Sequence, residues 1–476
     1  MKEYIGNKNV IIGNTLRIKS FGKNIRYVSS QKKAYFYANL FLMTCLSIFW
    51  GNAGIVVIGF IGMTISLICA EGLPERYYGY MFIIMFVMLL YLMIHYYGLI
   101  EEYGIPYYAG DDEHFESWGQ YLFEREIFSF GELNNVVFTN QGNARGYPLL
   151  LSWINLLVFG HYHTAMPRIL NLYLWLSLSL LTCKLLRQRI MDSKIEKYMF
   201  ISLALFPNGI YISSFVYRDT LMEFLIIVIV YNLAQLFTKK DQLKHYSRKF
   251  VSIITIIVIT YFLSYIRMAS VYICILLGAL IYMDFHSDIR KKRKWLLYLL
   301  LGAAGLVILL RYNLLGLYIN YSQKYTMYLL SQDYGLSSKI FSTPVFPFGW
   351  ILRVMYGFTV PFPAGLFSLD FLNKPLFSTS NAMVYLGTFY QIYMLPYMFK
   401  AIVKRNVNAW MYMVVYSSVV LTTFTFRHFI MPLPLFVLAA AEEFSRTERI
   451  KRKYYAVIIT FGIAMMAMLY FALKMF

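Results

Sequence analysis

The chain has 476 residues, of which 59% are hydrophobic and 14% are charged, with a mean hydropathy of +0.54 and a formal net charge of +20. Soluble domains carry about 25% charged residues, so this composition excludes a water-soluble globular protein and indicates a polytopic membrane protein. The positive charge does not indicate nucleic-acid binding, because most Lys and Arg residues form short runs between apolar segments, as topology signals do.

Apolar runs of about 20 residues predict an all-α bundle of membrane-spanning helices. A basic tail, 1–33, is expected in the cytoplasm, followed by a single transmembrane domain, 34–476. We interpret 34–70 as a hairpin that turns at Gly51-Asn52, because two crossings there place every later basic run inside. About 13 spans are predicted: 34–50, 53–70, 80–100, 164–186, 198–216, 220–237, 250–265, 269–285, 295–312, 381–399, 410–426, 428–441 and 455–475.

Two extracytoplasmic inserts are expected, at about 101–163 and 313–380. Each contains an apolar piece with proline, 147–160 in the first and 349–368 in the second. We interpret both pieces as interfacial or re-entrant, since such backbone is tolerated at membrane depth where it lines a protein cavity. A short tilted span is the alternative for 147–160.

The first insert contains an acidic triplet, Asp111-Asp112-Glu113, ahead of a predicted amphipathic helix over 113–126. Phe115, Trp118 and Leu122 share one face of that helix, so the helix is expected to lie on the membrane surface. Acidic residues also favour the start of a helix for local reasons. A carboxylate here could instead take a proton from an acceptor hydroxyl, or Asp111 and Asp112 could hold Mg²⁺ or Mn²⁺. The sequence does not establish whether a metal or another cofactor is needed.

Arginines interrupt apolar hairpins on the same predicted side as the triplet. Arginine offers a planar fork suited to bidentate phosphate contacts, whereas a lone arginine at a span end is commonly a snorkelling anchor. Because several lie opposite the bulk of the positive charge, we predict a phosphate-binding role for Arg145, Arg218, Arg267 and Arg427, with His428 beside the last of them.

Asp219 and Glu223 lie one helical turn apart at the start of the predicted span 220–237. An acid inside a span is a candidate functional group, and we give both a supporting role. The alternative is local neutralisation of Glu223 by Arg218 or Arg267. The pair His161 and His163 could bind a metal, but its spacing is a weak signal.

Four motifs resemble those of polytopic glycosyltransferases of the GT-C fold, the superfamily of the protein O-mannosyltransferases and lipid A aminoarabinose transferases. They are the acidic motif 110–113, the stretch from Arg145-Gly146-Tyr147-Pro148 through Phe159-Gly160 to Pro167-Arg168, Phe206-Pro207 followed by Arg218-Asp219, and Arg427-His428 with Pro432. Two features depart from the family pattern: three spans precede the acidic loop, and Gly146 stands where proline is common.

The resemblance implies a polyprenyl-phosphate-linked sugar as donor and a lipid, glycan or protein hydroxyl as acceptor, on the outer face of a bacterial plasma membrane. Asp111, Asp112 and Glu113 would then be catalytic. Two alternatives stay open. A polysaccharide repeat-unit polymerase of the O-antigen type also uses arginines in external loops, and a flippase of lipid-linked oligosaccharides would need charges through the bilayer midplane.

Overall fold

The computed structural model describes residues 30–108, 110–136, 145–190, 192–237, 245–285, 350–361, 363–422 and 426–475, and isolated positions between 320 and 349. Within these ranges the regular structure is helical, as the sequence predicts. The α-helices in chain order are α1 Ser30–Phe49, α2 Gly54–Ala70, α3 Arg76–Tyr103, α4 Gly110–Glu124, α5 Phe130–Leu133, α6 Gly146–Leu157, α7 Ala165–Arg187, α8 Ser193–Ala204, α9 Pro207–Ser213, α10 Asp219–Phe237, α11 His245–Ile266, α12 Met268–Phe285, α13 Trp350–Gly357, α14 Pro375–Val403, α15 Val407–Thr422, α16 Leu433–Arg446 and α17 Arg449–Met475; 3₁₀ helices form at Pro363–Ser368 and Phe426–Ile430.

Four described helices are long and apolar enough to cross a membrane: α3, α7, α10 and the segment Lys249–Ile266 of α11. Shorter apolar helices occur at Gly54–Ala70, Gly146–Leu157, Ser270–Phe285 and Val407–Val420. The predicted total of 13 spans is not confirmed by these helices, and the predicted span 295–312 lies outside the described residues. The tail 1–29 and most of the second insert lie outside them as well.

The predicted hairpin over 34–70 is present as two helices. α1 and α2 pack against each other and separate at a turn in which Gly51 has a φ of +63°, a conformation that favours glycine. Asn52 fixes this turn, because its side-chain Nδ2 donates to the carbonyl of His161 at 3.1 Å and its own carbonyl accepts from the Ser47 hydroxyl. A single long helix over this segment is therefore excluded.

One prediction, a single span over 198–216, is wrong. The segment forms two helices, α8 and α9, that are interrupted at Leu205 and Phe206. Pro207 explains the break, since it lacks an N–H donor and its ring disfavours a helical conformation in the residue before it. The interruption brings the loop 214–218, which follows α9, towards α4.

α7 forms the centre of the described bundle, with α2, α8, α10 and α16 packed around it. Trp175 is completely buried on this helix, and its Nε1 donates to the Ala204 carbonyl at 3.0 Å. The indole lies against Gly209, where a Cβ atom would come within 2.0 Å of the ring, so only glycine allows this approach. The close packing fixes α7 relative to the broken α8–α9 pair.

α3 and α14 are joined at one end by a cap that crosses between the helices. A Glu101 carboxylate oxygen on α3 accepts from the backbone N–H groups of Leu376 and Phe377, both at 3.0 Å. N–H groups in the first turn of a helix have no partner within the helix, and here the carboxylate accepts their hydrogen bonds. Its negative charge also interacts favourably with the positive end of the α14 dipole. Lys374 also forms a 2.8 Å ion pair with Glu102.

Candidate active site

The acidic triplet occupies the first turn of α4, where successive side chains leave the helix about 100° apart. Asp112 is completely buried, whereas the Asp111 side chain is 42% exposed and Glu113 is exposed. The predicted amphipathic helix is present, but its Phe115 and Leu122 are buried within the protein, where α4 packs against α6. The predicted position of this helix on the membrane surface stays a prediction. The three carboxylates therefore lie in different environments and cannot act as one group.

Asp112 is bound to its surroundings on both oxygens. One oxygen accepts from the Val216 backbone N–H at 2.5 Å, and the other lies 3.3 Å from an Arg168 guanidinium nitrogen. Burial raises the pKa of Asp112 to about 7, although the Arg168 charge and the Val216 N–H act in the opposite direction. Asp112 thus joins α4 to the loop after α9, which is a positioning role.

Arg168 was not among the predicted site residues, although it ends one of the motifs quoted above. Its side chain is completely buried on the first turn of α7. It donates to the carbonyls of Pro106 and Ser214, at 2.5 and 3.2 Å, and lies 5.8 Å from the centre of the Tyr107 ring. The available signal was an arginine at the boundary of an apolar run, but the sequence does not show which acid it contacts.

Asp111 faces the opposite way, towards the 3₁₀ helix 426–430. Its carboxylate forms a 2.5 Å ion pair with Arg427, whose Nε lies 4.0 Å from the carboxylate of Asp219. His428 Nε2 lies 3.6 Å from the other Asp219 oxygen, and Arg427 also stacks over the Tyr217 ring at 5.0 Å. Residues that are more than 300 positions apart therefore meet at the start of α10.

Two further predicted arginines lie at the same place. Arg218, next to Asp219, donates to the Ile266 carbonyl at 3.0 Å at the end of α11. Burial and the neighbouring charge of Arg267 lower the pKa of Arg218 to about 10, against the attraction of Asp219. Arg267 reaches the sulfur of Met431, at 4.0 Å. We call the following set the acid–arginine cluster: Asp111, Arg218, Asp219, Arg267, Arg427 and His428.

Three permanent positive charges and two carboxylates make up the charged part of the acid–arginine cluster. The guanidinium groups of Arg218, Arg267 and Arg427 all act electrostatically on His428, which is itself buried. Like charges held together at low exposure are unfavourable unless an anion compensates them. The cluster is therefore suited to bind a phosphate or another compact anion.

Glu223 lies one turn deeper on α10 and is completely buried. Neither of its carboxylate oxygens has a hydrogen-bond partner, and the same holds for one oxygen of Asp219. Among the described residues no arginine forms an ion pair with Glu223, so the structure does not show the predicted neutralisation. Its supporting role stays a prediction.

Arg145 occupies the N-cap position of α6 and is not part of the acid–arginine cluster. One of its guanidinium nitrogens lies 3.5 Å from the Asn134 carbonyl, and the adjacent Gly146 packs against Tyr265 and Ile266. Its contact with a donor phosphate stays a prediction.

Metal-binding groups are dispersed in the part of the chain that the structure describes, where no three His, Cys, Asp or Glu side chains come together. His163 accepts a hydrogen bond from the backbone N–H of Ala165 at 3.1 Å, while His161 contributes its carbonyl to Asn52. Asp111 and Asp112 have different cationic partners, so they do not form a paired carboxylate site. A role of Mg²⁺ or Mn²⁺ stays a prediction.

Comparison of the chain with models of known families, with curated proteins and with solved structures gives no match. Function is therefore inferred from the geometry and charge of the site.

Proposed function

We propose that this chain is a membrane glycosyltransferase of the GT-C type. It transfers a sugar from a polyprenyl-phosphate donor to a hydroxyl group of a lipid, glycan or protein. The reaction belongs to the synthesis of cell-envelope polysaccharide and takes place on the outer face of a bacterial plasma membrane. The four helices long enough to span a membrane support the coarse part of this proposal.

The observation that carries the proposal is the position of Asp111. It is the one exposed acid of the triplet that is paired with Arg427 at 2.5 Å, and it lies beside two further arginines. A phosphate leaving group needs positive charge where its negative charge develops, and an acceptor hydroxyl needs a base within hydrogen-bond reach. The acid–arginine cluster brings both requirements to one place.

Each member of the cluster has a role in this proposal. Arg218, Arg267 and Arg427 bind the donor phosphate, and Asp111 takes the proton of the acceptor hydroxyl. A phosphate that engages Arg427 weakens its ion pair with Asp111, which leaves the carboxylate free to act as base. Asp219 holds Arg427 and His428 in place, while Asp112 positions α4 through Arg168.

The test is sugar transfer in membranes that contain radiolabelled polyprenyl-phosphate sugar, with expression matched between variants. We expect Asp111→Asn to lower the transfer rate by about 10²- to 10⁴-fold, the contribution of a general base. Arg427→Gln should lower it by at least about tenfold, since it removes a charge-assisted contact. Glu124→Gln is the matched control: it changes an exposed acid at the other end of α4 and should leave the rate unchanged.

Two results would contradict the proposal. Full single-sugar transfer by Asp111→Asn would exclude this carboxylate as the base. Unchanged transfer in both variants, together with an altered length of a polysaccharide product, would favour the repeat-unit polymerase instead.

A further inference from the structure

A second polar site lies at the other end of the bundle from the acid–arginine cluster. A cavity of about 750 Å³ opens between the ends of α2, α7, α10 and α12 and the start of α15. Lys184 lines it and lies on the same helix as Arg168, roughly 24 Å away at 1.5 Å per residue. The two sites therefore face opposite ends of the bundle.

Among the described residues that line this cavity, cations outnumber acids. Three cations, Lys184, Arg187 and Arg189, face two acids, Glu71 and Asp284. One ion pair forms among them, between Arg189 and Asp284 at 2.8 Å.

Neither of the other two cations forms an ion pair with an acid of the described lining. Arg187 donates to the Gly72 carbonyl at 3.2 Å, and its Nε lies 3.8 Å from Glu196, outside the lining. The Lys184 ammonium lies 5.6 Å from the centre of the Tyr231 ring. Both side chains could take up an anion without breaking a close ion pair within the lining.

The remaining lining contains the polar side chains of Gln188 and Asn408 together with an apolar part that continues along the helices. Val230, Ala234, Ile281 and Phe285 form a wall below the charged rim. A free phosphate would need the cations alone, whereas an amphiphile would use the rim for its headgroup and the wall for the first part of its chains. Basic pockets between the ends of spanning helices bind anionic lipids in this manner, and the volume is in the range of ligand sites.

We propose that the cavity binds the headgroup of an anionic phospholipid, with Lys184 and Arg187 contacting its phosphate. The lipid joins the ends of five helices and so stabilises the bundle at the end that carries the basic runs. The proposal does not depend on glycosyl transfer, and either idea can fail without the other.

The test is binding of fluorescent phosphatidylglycerol to the purified full chain in detergent, with phosphatidylcholine and inorganic phosphate as competing ligands. We expect unlabelled phosphatidylglycerol to displace the fluorescent lipid, and phosphatidylcholine and inorganic phosphate to displace it much more weakly. Lys184→Gln should raise the dissociation constant by about five- to tenfold, the effect of one basic contact, and Lys184→Arg should retain binding. Lys451→Gln, an exposed lysine outside the cavity, is the matched control and should have no effect.

Arg187→Gln is a second variant in case Lys184→Gln fails to fold, because its side chain is 47% exposed and tolerates change. Equal competition by phosphatidylcholine, or unchanged affinity in both cavity variants, would overturn the proposal. Inorganic phosphate that competes as strongly as the lipid would overturn the lipid assignment in favour of a soluble phosphate.

Discussion

The buried carboxyl of Asp112 should give the folded protein a pH-dependent stability that an isosteric amide removes. Its pKa is raised from an ordinary value near 3.8 to about 7. Between these values the folded state retains a proton that the unfolded chain has released, so stability is full below about pH 4 and falls as pH rises through about 7. The difference of about three pH units corresponds to about 4 kcal/mol.

Asp112→Asn should therefore gain about 4 kcal/mol relative to wild type between about pH 4 and pH 8. The measurement is the free energy of unfolding of the purified protein in detergent, from denaturant titrations at several pH values. Taking the difference between the two proteins cancels the titration of other groups. Glu113→Gln is the control, since its side chain is exposed one residue away, and it should follow wild type at every pH. A wild-type advantage that grows with pH would refute the reasoning, because the Arg168 charge would then outweigh burial.

Three further changes test the packing and the buried charges, each by thermal unfolding in detergent. Gly98→Ala should lower stability by roughly 1–3 kcal/mol, because the added Cβ would lie 2.8 Å from the backbone of α14. Gly79→Ala on the same helix is the control: its Cβ meets nothing within 4 Å, so the change should be neutral or stabilising. Equal effects of the two changes would contradict this crossing of α3 and α14. Glu223→Gln should not lower stability by more than about 1 kcal/mol, since its oxygens have no hydrogen-bond partner, and a larger loss would reveal a cationic partner. Glu443→Gln should cost roughly 1–2 kcal/mol, because the buried carboxylate forms ion pairs of 2.9 and 3.3 Å with the half-exposed side chains of Lys404 and Arg446. Exposed Glu448→Gln should have no effect, and the same behaviour in both variants would show that these pairs contribute little.

The long helices were predictable because each is an apolar run bounded by polar residues. The predicted spans 164–186 and 220–237 agree within one residue at each end with α7 and α10. The error at 198–216 had a visible cause, since Pro207 lies in the middle of the predicted span. Hydropathy alone averages over such a break, so the turn that carries the loop 214–218 was lost.

The separate roles of the acids were only partly visible in the sequence. Glu113 falls on the side of the helix opposite Phe115, whereas Asp111 and Asp112 both lie within about 60° of it. Helical periodicity therefore marks Glu113 as the outward acid but does not show which of the other two is buried. The partner of Asp112, Arg168, is 56 residues away, and a single sequence contains no signal that joins the two. The same limit applies to Asp111 and Arg427, because their contact depends on how α4 and the 3₁₀ helix 426–430 pack around α7 and α10.

The arrangement of charge in the acid–arginine cluster argues against a purely structural role. Arg218 remains a cation at neutral pH even though its pKa is lowered to about 10, so the fold holds it close to Arg267 at an electrostatic cost. Snorkelling anchors would extend towards water and away from one another. These arginines instead converge on His428 and Asp219, at the end of the bundle where the basic runs are absent. Repulsion that the fold maintains in one place is relieved when an anion binds there, and this supports our proposal that the cluster binds a phosphate-bearing substrate instead of anchoring helix ends.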